Sequence, residues 1–96
     1  MRWTVRFSGA AAKATGKLPE RVQHALAALT AEVAVLGPAL HGRGWRHFGK
    51  LKGRTDEYHC HLKAGRPTYV ACWRIVDRSE RIVELYYVGT HENAPY

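Results

Sequence analysis

Between Glu20 and Leu36 the sequence carries its longest regular pattern: Val22, Leu26, Leu29, Val33 and Leu36 recur at alternating spacings of four and three. At about 3.6 residues per turn this spacing lines one side of a helix, so the segment is expected to be an amphipathic helix with one buried stripe. Pro19 suits the first turn of that helix and Glu20 the positive end of its dipole. Gly37-Pro38 stops it, because proline lacks an amide donor and restricts the residue before it. His24 falls off the stripe and is expected to be solvated. An apolar stripe of this kind needs a second layer to cover it, and most of the remaining chain reads as strands.

Trp3-Thr4-Val5-Arg6-Phe7 alternates polar and apolar residues rich in aromatic and β-branched types, the signature of a first strand. Ser8 can cap the alanine-rich helix Gly9–Ala14, which Gly16 ends. Later strands are expected over Phe48–Lys52, Tyr58–Lys63, Thr68–Val76 and Ile82–Val88. The links Ala64-Gly65-Arg66-Pro67 and Asp77-Arg78-Ser79-Glu80 are short and rich in turn formers, which favours an antiparallel meander. The fold class is therefore α+β, with the order β-α-α-β-β-β-β over a single domain spanning residues 1–96. Two N-terminal helices should pack on one face of a mainly antiparallel twisted sheet, leaving the other face uncovered.

Within Glu57-Tyr58-His59-Cys60-His61-Leu62-Lys63, side chains on a strand alternate across the sheet, so His59, His61 and Lys63 should share one face. Tyr58, Cys60 and Leu62 should share the other. Two imidazoles with ordinary pKa values near ~6.5 can divide proton acceptance and donation at neutral pH. His91 follows the last strand. A His-x-His strand is also a zinc-ligand spacing, but no matching carboxylate or cysteine completes a set, so no metal or other cofactor is expected.

The 96 residues include 15 Lys and Arg against 8 Asp and Glu, a net charge of +7 that favours a polyanionic partner. From His41 to Arg54 the chain carries Arg43, Arg46, Lys50, Lys52 and Arg54 without an acidic residue, interleaved with Trp45, His47 and Phe48. Cations neutralise phosphates and aromatics stack on bases, making this the best nucleic-acid footprint, although Trp45 and Phe48 equally suit the core. Lys50 and Lys52 should share a strand face. His41 and His47 have no partner visible in the sequence. Trp73 and Tyr69 fall on one strand face with Ala71 and Ile75 and are expected in the core, as are the reduced thiols Cys60 and Cys72. No apolar run approaches the roughly 18 residues that span a bilayer, and Met1–Arg6 lacks a signal-peptide core, so a cytoplasmic protein is expected.

Three short motifs, Gly49-Lys50-Leu51-Lys52-Gly53, Glu57-Tyr58-His59-Cys60-His61-Leu62 and Tyr86-Tyr87-Val88-Gly89-Thr90-His91-Glu92, together with element order and length, resemble the RelE/ParE superfamily of type II toxin–antitoxin toxins. The resemblance implies a small ribonuclease that cuts messenger RNA in the ribosomal A site without a metal. It also implies a cognate antitoxin as partner, and contact with DNA only through the antitoxin complex. RelE itself has lysines at the positions matching His59 and His61, whereas toxins of the HigB and YafQ type use histidines. His91 matches an arginine or histidine after the last strand, and Tyr96 an aromatic that stacks on the substrate base. The family arginine of the following strand has two candidate matches, Arg66 before it and Arg74 within it.

Cleavage by the RNA's own 2′-hydroxyl needs a base, an acid for the departing 5′-oxygen and cations around the phosphate. The expected assignment pairs one of His59 and His61 with His91, sets Lys50, Lys52 and Arg66 or Arg74 on phosphate, and stacks Tyr96 on the base. Arg74 is equally suited to a cross-strand ion pair with Glu84. Two other readings follow from the same resemblance. One is a ParE-like gyrase inhibitor with no nuclease activity; the other is a degenerate toxin acting mainly in transcriptional autoregulation.

Overall fold

Residues 2–40 and 44–96 are described in the computed structural model, so His41 and Arg43 of the basic segment lie outside it. Strand β1 (Thr4–Phe7) leads into helix α1 (Gly9–Thr15), where the Ser8 hydroxyl accepts the Ala11 amide at 3.1 Å and so satisfies a first-turn donor. Helix α2 (Glu20–Leu36) follows Pro19 and closes at Gly37, whose φ of 93° only glycine adopts without strain. Strands β2 (Arg46–Lys50), β3 (Glu57–Lys63), β4 (Tyr69–Asp77) and β5 (Ile82–Thr90) complete the order, before a single 3-10 turn at His91–Asn93. The expected element order and fold class are those observed.

The five strands form one sheet in the order β1-β5-β4-β3-β2, antiparallel except for β1, which runs parallel to β5. Helix α1 lies over β5, and α2 over β3 and β1. Val22, Leu26, Leu29 and Val33 are buried as the helical spacing requires. Leu36 departs from the expectation and is 44 % exposed. The chain turns away at Gly37, where a Cβ would stand 3.2 Å from Trp3 Nε1, so Trp3 occupies the space below the helix end.

The sheet side of the core is built from Tyr58, Cys60, Ala71, Trp73, Val83, Leu85 and Val88, all on one face by register. Trp73 is 1 % exposed and donates its indole N–H to the Pro38 carbonyl at 2.9 Å. Trp45 and Phe48 resolve in favour of the core: both pack against it, and the Trp45 indole donates to a Glu32 carboxylate oxygen on α2. They are therefore turned away from the uncovered face. Tyr69 also packs on this core, and both cysteines are buried and free.

Irregular pairing redirects several side chains. Arg46 pairs with His61 but Gly49 with His59, so two residues, His47 and Phe48, stand opposite Cys60 alone. The bulge breaks the alternation, so Arg46, opposite His61, and His47, stacked on His61, both lie toward the open face, and the positive φ of His47, 52°, marks the distortion. A second irregularity after His61 puts Lys63 opposite Tyr69, so Lys63 leaves the His59 face it was expected to share. Lys50 pairs with Tyr58, hence on the helix side of β2, and Lys52 lies in the turn beyond the strand. The expectation that both lysines share a strand face beside the histidines is thus corrected, because β2 begins two residues earlier than expected and carries the bulge.

Removing the central indole tests this packing. Trp73→Ala is expected to destabilise the protein by about 3–5 kcal/mol, read as a lower midpoint in chemical denaturation. A midpoint near that of the wild type would contradict a core centred on Trp73.

Candidate active site

The face opposite the helices carries His59 and His61 from β3, with Cys72 and Val70 opposite them on β4 and Tyr87 and Gly89 beyond on β5. Its floor is small and apolar. Cys72 is fully buried there, and desolvation pushes its thiol up to about 12, so it is a packing residue without nucleophilic character at neutral pH. Cys60 lies on the helix side and burial raises its thiol likewise to about 12. Gly89 is required locally: a Cβ would come within 2.8 Å of the Tyr87 hydroxyl, which donates to the Thr90 carbonyl at 2.7 Å.

Above this floor the rings converge. His61 meets His91 edge-on with centroids 5.3 Å apart, and His59 meets Tyr96 at 4.9 Å. His91 and Tyr96 are themselves 6.0 Å apart. The four expected acid-base and stacking residues therefore form one cluster, assembled from β3 and the segment after β5. The His91 amide donates to the Thr68 carbonyl at 2.8 Å, which ties that segment to the start of β4.

A fifth ring belongs to the cluster. His47 stacks on His61 with centroids 4.1 Å apart and planes inclined by 28°. His47 lies just before the strand expected from the sequence, Phe48–Lys52, whose alternation assigns it no face. Arg46, opposite His61, brings a cation to the same edge. At Gly49, opposite His59, the missing side chain leaves the ring room, since a Cβ would stand 3.8 Å from its Nε2.

The expected phosphate ligands divide. Arg66 is exposed and lines an open groove with Gly65, Pro67, Thr68, Thr90, His91 and Glu92, placing a cation beside His91. Arg74 donates to Glu84 Oε1 through two nitrogens, at 2.7 and 3.2 Å, and its guanidinium lies 4.9 Å from the Tyr86 ring centroid. It is the ion-paired alternative that the geometry favours for Arg74. Beside it, Glu57 Oε1 accepts from the Tyr86 hydroxyl at 2.8 Å and from Arg54 at 3.3 Å. Among the described residues no group of three or more His, Cys, Asp or Glu is arranged to hold a metal ion.

Electrostatics keep the β3 imidazoles neutral. Desolvation first, then repulsion from His91 and His47, holds His59 below the ordinary imidazole value of 6.5. His61 is lowered by desolvation and then by His47, His91 and His59. The Nδ1 atom of His59 is buried with no hydrogen-bond partner among the described residues, an environment that opposes charge on the ring. Both rings therefore favour the unprotonated form, which has a nitrogen lone pair free to accept a proton.

The same shifts link the site to stability. With folded-state values below the unfolded one, the unfolded chain takes up protons first as the pH drops past about 6.5, so stability is full above that value and is lost toward the depressed folded values. The denaturation midpoint is expected to fall between about pH 7.5 and pH 5.5, and to fall less in a His59→Asn/His61→Asn variant. Equal pH dependence in the two proteins would refute the shift.

No protein-family model matches the sequence, and no curated protein matches it significantly. Solved structures do match. A double mutant of the E. coli toxin RelE in the free state aligns with a TM-score of 0.75 at 24 % identity, over 98 % of this chain and 88 % of that one. The archaeal RelE-RelB complex from Pyrococcus horikoshii gives 0.74 at 14 % identity, over 98 % and 100 %. The toxin-antitoxin complex RelBE2 from Mycobacterium tuberculosis gives 0.58 at 25 % identity, over 95 % and 100 %. Two helices on one face of a five-stranded, mostly antiparallel sheet give this chain the fold of the RelE-like toxins.

Proposed function

We infer that the chain is the toxin of a type II toxin–antitoxin pair and acts as an endoribonuclease on messenger RNA at the ribosome. The observation that carries this reading is the convergence of His59, His61, His91 and Tyr96 on the helix-free sheet face. Proton transfer needs titratable groups within reach of one substrate, and a cluster of imidazoles beside an aromatic ring meets that need. The fold shared with RelE and with toxins solved in complex with their antitoxins agrees with it.

In this mechanism a depressed imidazole, His59 or His61, takes the proton of the 2′-hydroxyl, whose oxygen attacks the adjacent phosphorus. The 5′-oxygen departs and receives a proton from His91. The products are a 2′,3′-cyclic phosphate and a 5′-hydroxyl end, so neither water nor metal enters the first step. Arg66, which shares the groove with His91, and Arg46 beside His61 are the cations best set to meet phosphate. Tyr96 stacks on a base, a contact worth roughly 1–3 kcal/mol in single-strand binders. Lys50 and Lys52, at the edge strand and the turn after it, serve longer-range attraction of the polyanion. The described residues, with extents of 38 × 26 × 23 Å, offer little surface with which to orient RNA alone, which favours the ribosome as the scaffold.

The cognate antitoxin is expected to be acidic where it meets the basic surface, and the complex to weaken with salt. The decisive experiment adds purified protein to translating ribosomes and maps RNA ends. New 5′-hydroxyl ends are expected within ribosome-bound message, with His61→Ala and His91→Ala each slowing cleavage on the order of 10²–10⁴-fold. Unchanged cleavage in a His59→Ala/His61→Ala/His91→Ala variant would sink the assignment. Intact message together with inhibited DNA supercoiling would replace it with the gyrase reading.

A further inference from the structure

Arg54 lies in the turn between β2 and β3, 41 residues from the segment that carries Tyr96, yet the two are joined directly. One guanidinium nitrogen donates to the Pro95 carbonyl at 2.7 Å, and the other to Glu57 Oε1 at 3.3 Å. Glu57 Oε1 is itself fixed by the Tyr86 hydroxyl at 2.8 Å, and the Tyr86 ring carries the Arg74 guanidinium above it. Both ends of the Arg54 fork thus engage protein groups. The residue after Pro95 is Tyr96, whose ring lies 4.9 Å from that of His59. After the 3-10 turn at His91–Asn93, the segment is secured near its start by the bond from the Ala94 amide to the His91 carbonyl. Arg54 supplies the far anchor.

We propose that Arg54 is a positioning residue that, through the Pro95 carbonyl, holds the Tyr96 ring against His59. The assignment of a role in cleavage rests on the ribonuclease reading; the positioning itself does not. A guanidinium suits the task because its planar fork reaches a carbonyl and a carboxylate at once, which an ammonium does in less fixed geometry. Glu57 and Tyr86 orient the fork, so the clamp joins the β2–β3 turn, β3 and β5 to the segment after β5. The catalytic consequence is geometric. Small misplacement of a positioned group costs up to about 10²-fold in rate.

Nuclear magnetic resonance of the His59 ring at a pH where it is neutral reads the clamp without any substrate. Tyr96→Ala removes the aromatic ring current from His59 and defines the full shift change. Arg54→Met is expected to move the His59 resonance in the same direction, Arg54→Lys less, and Arg54→Met/Tyr96→Ala no further than Tyr96→Ala alone. A His59 resonance that moves in Tyr96→Ala but stays in place in Arg54→Met would overturn the proposal. If Arg54→Met fails to fold, Glu57→Gln, which loosens the fork and leaves the guanidinium, must produce a partial shift of the same sign for the proposal to stand. In cleavage assays Arg54→Met is expected to lower kcat on the order of 10–10²-fold with KM nearly unchanged, and to add nothing to Tyr96→Ala. A raised, salt-dependent KM additive with Tyr96→Ala would mean direct contact with RNA and would overturn it. Absence of cleavage by the wild type would remove the ribonuclease reading and leave the resonance shifts to decide the positioning.

Discussion

The indole of Trp73 fills the middle of the contact between helices and sheet, with the rings of Tyr58 at 6.3 Å and Phe48 at 6.0 Å drawn from the two neighbouring strands in turn. Its N–H ends on the Pro38 carbonyl just past α2, so one side chain joins three strands to the helix exit. Because strand side chains alternate with a period of two, a slip of one residue in β3 would carry His59 into the core and expose Tyr58. The aromatic stack penalises that slip heavily. The placement of the histidines on the open face is thus specified from the opposite face, by groups buried in the core.

On the open face, imidazoles crowd over a buried floor that includes Cys72 and Val70. His47, His59, His61 and His91 stand within ring contact of one another or of Tyr96, and each charge would repel the next. Desolvation reinforces this for the β3 pair. The positive charge of the protein is carried around this cluster by arginines and lysines, some of them tied up in ion pairs: Arg54 with Glu57, Arg74 with Glu84, Arg78 with Asp56. Exposed cations and desolvated imidazoles are therefore different residues, and burial lowers the pKa of His59 and His61 within a strongly basic protein.

Periodicity made much of this legible. The stripe of α2, the alternation in β3 and the turn-rich links fix element type and face because they report burial directly, and they placed His59 opposite the core and Trp73 within it. The bulges escaped detection. Lys63 changes face, and His47 joins Arg46 on the open one, through pairing irregularities that depend on the neighbouring strand, and neither is a glycine whose type would announce a special backbone. Leu36 continues the helical spacing into a turn where no partner layer remains, so pattern alone overstates the stripe. The bond from Arg54 to Pro95 spans 41 residues and involves a main-chain carbonyl, for which side-chain type carries no signal.

The parallel pairing of β1 with β5 has a temporal meaning. Thr4 aligns with Ile82 and Phe7 with Leu85, so the first strand synthesised waits for the last before it can join the sheet. Contacts so distant in sequence form late and slowly. Meanwhile His91 and Tyr96 emerge later still, after β5. On a translating ribosome the sheet thus closes only once β5 has been made, and the ring cluster only once the residues that follow β5 are in place.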